Sequence, residues 1–369
     1  MDITYSIIRD AKKYHRTISP IIVASTAFFI VTGLLLCLHT ISAKASTTKV
    51  GIIMLGDIDA MGFNGLSYQG LVRAEIELSV VGTVYKTTTE ADLEKLAIRC
   101  VADDNDLCIG VSFLTMDAIY HTASAYPNVY FAIVDTAYGT YLPNLRSLLF
   151  AAEEAGYLAG TLAARMTQSN VIGDLGGMEI PPVVAFTEGY KNGAHCSNPD
   201  VTTIISYTND FYNPPLGAEF AEGMIRGGAD VIFAVAGPTG NGAILNATQS
   251  GVWAIGVDTD QYYTLFMTGT VEGAEYLLSS AMKRADNAVF MTIADVVAGN
   301  FTSGPVTYDL EKAGVGLAPF HDAEAYISRD IQTWLNLVSQ AIIVGWIDPL
   351  DPDSPCLDLQ QQFLPLAQR

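Results

Sequence analysis

The sequence predicts an α/β protein of two lobes, each built on a mostly parallel sheet covered by helices on both faces. Three observations carry that expectation. From residue 49 onward short apolar runs alternate with helix-like segments, the order of elements that such sheets require. At 369 residues, 50% of them hydrophobic and 16% charged, the chain holds more core material than one domain usually contains. No low-complexity linker separates the halves, so the lobes should be joined by short crossovers and hinged.

The elements follow in order. Arg9, Lys12, Lys13 and Arg16 precede an uncharged run over 17–38, after which Ala43-Lys44-Ala45 forms an A-x-A pattern. Residues 1–45 therefore read as a signal peptide, or as a retained single-span anchor, because the run is long enough to cross a bilayer. Either reading places the remaining chain outside the cytoplasm, in the periplasm or at the cell surface. Leu36 before Cys37 is not the small residue that lipid attachment prefers. Strands are expected at 50–55, 107–112, 129–134, 171–173, 203–207, 231–235, 253–257 and 276–279, and helices at 93–101, 153–166, 216–226 and 283–298. Ile327, Ile331, Trp334, Val338, Ala341 and Ile342 recur at helical spacing with Ser328, Arg329 and Gln332 opposite, which is an amphipathic helix packing on the core. Residues 348–355, rich in Pro and Asp, read as an exposed tail.

Polar groups recur where the apolar runs end, and ligands of open α/β sheets bind beyond the carboxyl ends of the strands. Asp57, Asp59, Phe63 and Asn64 occupy the loop after the first run. Carboxylates accept hydrogen bonds from hydroxyls and a Phe face stacks on a flat ring, so this loop suits an uncharged, ring-bearing, polyhydroxylated ligand and would repel phosphate. Asp135 ends another run, Asp258-Thr259-Asp260-Gln261 follows a third, and Gly237 and Gly240 lie in a glycine loop opening a helix. That loop is spaced G-x-x-G-x-G and is not the dinucleotide fingerprint. Phe211 stands in the aromatic stretch 207–212, and Lys283 follows the last apolar run. Taken singly, each has a plain alternative: turn chemistry for the aspartates, packing for Phe211, a solvated helix start for Lys283.

Composition removes several classes. Taking the five basic and two acidic residues of 1–45 from the totals of 19 and 39 leaves 14 Lys and Arg against 37 Asp and Glu, a net charge of −23. Nucleic acid and anionic lipid are bound through Lys and Arg, so a nucleic-acid partner is excluded. Beyond Cys37, the cysteines at 100, 108, 196 and 356 show no metal spacing; an oxidising compartment permits disulfides, with Cys100 and Cys108 the nearest pair, and buried thiols are the alternative. No G-x-S-x-G or H-E-x-x-H occurs, so no catalytic residue, cofactor or metal is expected. A metal held by Asp57/Asp59 or Asp258/Asp260 in a sugar-nucleotide or nucleoside enzyme is the reading weighed against this.

Taken together, the loop 57–64, Gly110-Val111-Ser112-Phe113, Phe131-Ala132-Ile133-Val134-Asp135, Ala155-Gly156-Tyr157-Leu158-Ala159-Gly160, Val235-Ala236-Gly237, Ile255-Gly256-Val257-Asp258-Thr259-Asp260-Gln261 and Met282-Lys283-Arg284 resemble the basic membrane protein family of ABC-transporter substrate-binding proteins, and its purine nucleoside receptors most. The resemblance covers roughly 48–320 in the expected order. It implies a type I periplasmic-binding-protein fold: two doubly wound, Rossmann-like lobes joined by a hinge. Residues 46–150 and 278–305 would form the first lobe, 151–277 and 306–345 the second, and 346–369 a C-terminal tail. It further implies an extracytoplasmic protein that captures a nucleoside, purine by preference, and passes it to an ABC permease. Phe63 would stack on the base, Asn64 and Asp135 would face it, Asp59 would sit beside them, and Phe211 would oppose Phe63. Asp260 and Lys283 would hold ribose, with Gly237 and Gly240 beside the sugar. A membrane-tethered sensory receptor of the same fold is the other binding function to weigh. The leader lacks the family's usual lipobox, and Pro238 and Asn241 depart from its glycine loop.

Overall fold

Two six-stranded sheets organise the computed structural model, which describes residues 47–58 and 62–355. The leader over 1–45, Asp59, Cys37, Cys356 and the last part of the tail lie outside the described residues. The first sheet holds β1 (Lys49–Leu55), β2 (Val81–Thr87), β3 (Leu107–Val111), β4 (Tyr130–Val134), β5 (Leu145–Phe150) and β11 (Gly304–Tyr308). All pair in parallel, in the order β11-β5-β4-β3-β1-β2. The second holds β6 (Val171–Gly176), β7 (Thr202–Tyr207), β8 (Val231–Val235), β9 (Trp253–Asp258), β10 (Leu277–Lys283) and β12 (Val315–Leu317), in the order β12-β10-β9-β8-β6-β7. Its edge strand β12 runs antiparallel.

Each sheet reverses its winding once, between β1 and β3 in the first and between β6 and β8 in the second. Such switch points open a crevice beyond the carboxyl ends of the strands. The strands beside them are the most apolar in the chain: β3 and β8 are buried along their whole length, as strands covered on both faces must be. These central strands carry the clearest sequence signal.

Four strands were not expected, for identifiable reasons. β2 is an edge strand in which only Tyr85 is buried, so no apolar run marks it. β5 carries Arg146 and Ser147 in its middle, both fully buried; the guanidinium is satisfied by Asp295 (2.6 Å) and by the carbonyl and hydroxyl of Thr302 (2.7 and 2.9 Å). β11 and β12 are short edge strands.

The helices are α1 (Phe63–Leu78), α2 (Leu93–Ala102), α3 (Met116–Ala125), α4 (Ala152–Met166), α5 (Pro181–Ser197), α6 (Pro214–Arg226), α7 (Gly237–Gln249), the four-residue α8 (Gln261–Thr264), α9 (Ala285–Val297) and α10 (Arg329–Ile343). α4 and α5 touch backbone to backbone, because Gly160 has no Cβ to strike the Tyr190 carbonyl. Along α10, Trp334, Val338, Ala341 and Ile342 bury against Tyr157 and Leu158 of α4, the core packing its periodicity predicts. Past α10 the chain returns over α5, where Ile347 is buried and the Asn192 amide donates to the Pro349 carbonyl (2.9 Å). Cys100 and Cys108 form a disulfide between α2 and β3, and Cys196 is buried.

The chain passes between the sheets three times, from β5 to α4, from β10 to α9 and from β11 to β12. Hydrogen bonds tie these crossings together: Ala151 N–H to the Tyr308 carbonyl (3.0 Å), Arg284 N–H to the Gly314 carbonyl (2.8 Å), and Leu310 N–H to the Glu154 carboxylate (2.7 Å). Two expected boundaries shift. Residues 278–305 are expected in the first lobe and 306–345 in the second, yet β10 pairs with β9 and β12 of the second sheet, the chain changes sheets only after it, and β11 stays paired with β5 of the first sheet as far as Tyr308. Lys283 is accordingly the last residue of β10 and not the start of a helix, which begins at Ala285.

Candidate functional site

A cavity of about 510 Å³ opens beyond the carboxyl ends of both sheets and is lined from each. On the first sheet's side β1 delivers Leu55, Gly56 and Asp57; Gly62, Phe63 and Asn64 open α1; Ser112 and Asp135 end β3 and β4. On the other side stand Ile180, Val183 and Phe186 of the α5 region, then Phe211, Gly237, Asn241, Asp258 and Lys283.

Three of these strand ends turn in the same unusual way. Ser112 (φ 69°), Asp135 (φ 64°) and Asp258 (φ 63°) all hold the left-handed backbone, which costs a non-glycine residue about a kcal/mol or more and concentrates at functional sites. The turn breaks strand alternation and swings each side chain towards the crevice.

The centre of the cavity is ionic. Lys283, from the second sheet, reaches Asp135, from the first, at 2.8 Å, with their side chains 4% and 16% exposed. The ammonium also lies 4.9 Å from the centre of the Phe186 ring, close enough for a cation–π attraction. Asp258 stands beside the pair: burial pushes its carboxyl up to about 6, Lys283 opposing the rise and Asp135 adding to it. One ammonium thus faces two carboxyl groups, leaving acceptor capacity for ligand hydroxyls.

Two carboxamides are oriented by their neighbours. The Asn64 amide nitrogen donates to the carbonyls of Leu55 (2.8 Å) and Asp57 (3.2 Å), so its oxygen is left as the acceptor. The Asn241 oxygen accepts from the Gln261 amide (2.7 Å), while the Gln261 oxygen accepts from Val257 N–H (3.2 Å), so Asn241 retains its amide donor. Phe211 is seated against Gly177, which has no Cβ to displace the ring. Phe63 faces the same cavity from α1.

Of the residues expected from sequence, Phe63, Asn64, Asp135, Phe211, Gly237 and Lys283 come together here. Asp59 lies outside the described residues. Two others stand elsewhere. Asp260 caps α8, accepting from Tyr262 N–H (3.2 Å), and its other oxygen meets His321 Nε2 at 2.8 Å; Asp258, at the strand end, holds the cavity position expected for Asp260. Gly240 is buried within α7 against Ala234 and Ala236 and does not line the cavity. Sequence reasoning missed Glu90, Ser112, Phe186, Asn241 and Gln261 as lining residues. The repeated D-x-D marks this turn, and the strand end expected at Val257 favours its first member. Among the described residues no group of three or more His, Cys, Asp or Glu could hold a metal, and no helix is long and apolar enough to cross a membrane.

The chain is 32% identical to the CD4+ T-cell-stimulating antigen of Listeria monocytogenes over 81% of its own length and 86% of that protein's. It is 34% identical to the ABC transporter nucleoside-binding protein BmpA of Lactococcus lactis, covering 61% of this chain and 68% of the relative. An ABC transporter solute-binding protein from Aeropyrum pernix superposes with a TM-score of 0.71 at 26% identity, over 85% of this chain and 98% of the other. The fold is therefore the type I periplasmic-binding-protein fold, as the resemblance implied. Residues 47–347 match the family described as ABC transporter substrate-binding protein PnrA-like, and the chain belongs to that family.

Proposed function

We propose that the protein is an extracytoplasmic receptor that binds a nucleoside, purine by preference, between its two sheets and delivers it to an ABC permease. The carrying observation is the Lys283–Asp135 ion pair, which joins the two sheets inside a cavity that also holds Asp258 and rings from both sides. Asp135, Lys283 and Asp258 suit a ribose diol, since ionised carboxylates accept from hydroxyls and the ammonium donates to them. Phe63 and Phe211 suit a flat base, and Asn64 and Asn241 present one acceptor and one donor to its edge. The family relative in Lactococcus lactis carries nucleoside binding in its name, which supports the same ligand class.

Each stacked or charge-assisted contact need contribute only about 1–3 kcal/mol for the sum to reach micromolar affinity, about −8 kcal/mol. Because the ligand touches both sheets, it favours the arrangement in which they close on it, and no bond has to be made or broken. Calorimetry of the purified protein against nucleosides, free bases, sugars and peptides tests the reading. Purine nucleosides are expected to bind at micromolar concentration or tighter. Binding of a sugar or peptide with no response to any nucleoside would overturn it.

A further inference from the structure

A short series of contacts brings the chain beyond α10 back onto α5. Ile347 is buried in one apolar cluster with Cys196 of α5, Tyr157 of α4 and Trp334 of α10. Two residues on, the Asn192 amide of α5 holds the Pro349 carbonyl (2.9 Å). The chain then turns outward through the exposed residues 350–353 and closes on itself. There the Ser354 hydroxyl accepts from Asp348 N–H (2.9 Å) and donates to the Asp348 carbonyl (3.0 Å). Ser354 is half-buried, while Asp351, Pro352 and Asp353 before it are exposed.

This closure limits the reach of the residues that follow. Ser354 is bonded to Asp348, between Ile347 and Pro349, and two further residues of chain extend about 7 Å at most. Cys356 is therefore held within that radius of Ser354. Cys196 follows Asn192 by one helical turn, about 6 Å along the axis and on the same face, and its side chain is 4% exposed. A disulfide needs its two Cα atoms about 4.4–6.8 Å apart, a separation that this arrangement allows. Cysteine usage agrees. Beyond the leader there are four cysteines, and Cys100 and Cys108 are already joined, as in a compartment that oxidises thiols. The remaining two are Cys196 and Cys356.

We infer that Cys196 and Cys356 form a second disulfide, which staples the C-terminal segment to α5. The two thiols give up two protons and two electrons as the Sγ–Sγ bond forms, and a disulfide-bearing oxidant of the compartment takes them up to become two thiols. The bond closes a long loop, the case in which a cross-link restricts the unfolded chain most. It sits at the end of α5 opposite Val183 and Phe186, which line the cavity, so it anchors that helix without touching the ligand. The inference does not depend on which ligand binds.

The test is a tryptic map of the full chain, oxidised in a mixture of reduced and oxidised glutathione and alkylated before digestion without reductant. Trypsin leaves Cys196 in 192–226, Cys356 in 330–369, Cys37 in 17–44, and both Cys100 and Cys108 in 100–146. The expected product is 192–226 joined to 330–369, separated by reduction. Cys356→Ser should abolish that product, keep the Cys100–Cys108 bond and lower the melting temperature by roughly 5–15 °C. The map of the wild type is read whether or not a variant folds. Cys356 recovered alkylated, joined to glutathione, joined to Cys37 or joined to another copy of the chain, in protein whose Cys100–Cys108 bond has formed, would overturn the inference.

Discussion

Asp258 and Asp260 are two residues apart and do different work. Asp258 faces the Lys283–Asp135 pair with its carboxyl raised to about 6 by burial, whereas Asp260 is engaged with Tyr262 N–H and His321. On the proposed reading the ionised Asp258 accepts from a ribose hydroxyl, so nucleoside affinity should rise as pH increases through about 6 and the carboxyl loses its proton. Calorimetry from pH 5 to 7.5 checks the sign, and Asp258→Asn should weaken binding and flatten the profile. Asp260→Ala should leave more affinity than Asp258→Asn, the reverse of what the sequence alone suggested. Phe63→Ala removes one ring from the cavity; base stacking is worth about 1–3 kcal/mol, so affinity for nucleosides should fall roughly five- to hundredfold. Loss of ribose binding with no loss of base binding would contradict that assignment. At this scale Phe63, Asn64, Asp135, Phe211 and Lys283, all singled out from sequence, line one cavity. Sequence did not separate Asp258 from Asp260: the strand end expected at Val257 favours Asp258, but the left-handed turn at φ 63° that aims its side chain leaves no mark in the residue order.

The elements were legible in proportion to their burial. β3 and β8, buried throughout, stand out as apolar runs; β2 and β11 sit at sheet edges and alternate or mix polarity. β5 hides for another reason, because its buried Arg146 is matched by Asp295 and Thr302, partners more than 140 residues away that no local pattern reveals. The α4–α5 contact is local in cause and yields a prediction at the same scale. Gly160→Ala would drive a methyl group into the Tyr190 carbonyl, and overpacking of this kind costs about 1–3 kcal/mol. The melting temperature should drop, by roughly 2–4 °C for each kcal/mol in a domain of this order of size. Because α4 begins at one of the three crossings between sheets, thermal denaturation with and without nucleoside separates lost stability from lost closure.

For the whole molecule, buried acids make stability and binding respond to pH in opposite directions. Burial raises Asp174, in the middle of the second sheet, to about 7. It raises Glu154, at a crossing, to about 7, with Leu310 N–H opposing, and Asp258 to about 6. Each carboxyl has a folded pKa above its unfolded value, so over this interval the folded state holds protons that the unfolded state has released. The stability these groups contribute is complete below about pH 4 and is lost as pH rises through 6 to 7. The ligand-free protein should therefore melt at a higher temperature at pH 5 than at pH 7.5, and Asp174→Asn should reduce the difference by removing one of the three groups. Nucleoside acts the other way: binding favours ionised Asp258, so the stabilisation it adds, RT ln(1 + [L]/Kd), should grow over the same interval. Melting curves at fixed excess of nucleoside would then lie closest to the ligand-free curves at pH 5 and furthest from them at pH 7.5. Equal shifts at both values would mean that Asp258 does not change its charge in the bound state, and the diol would have to be held by Asp135 and Lys283 alone.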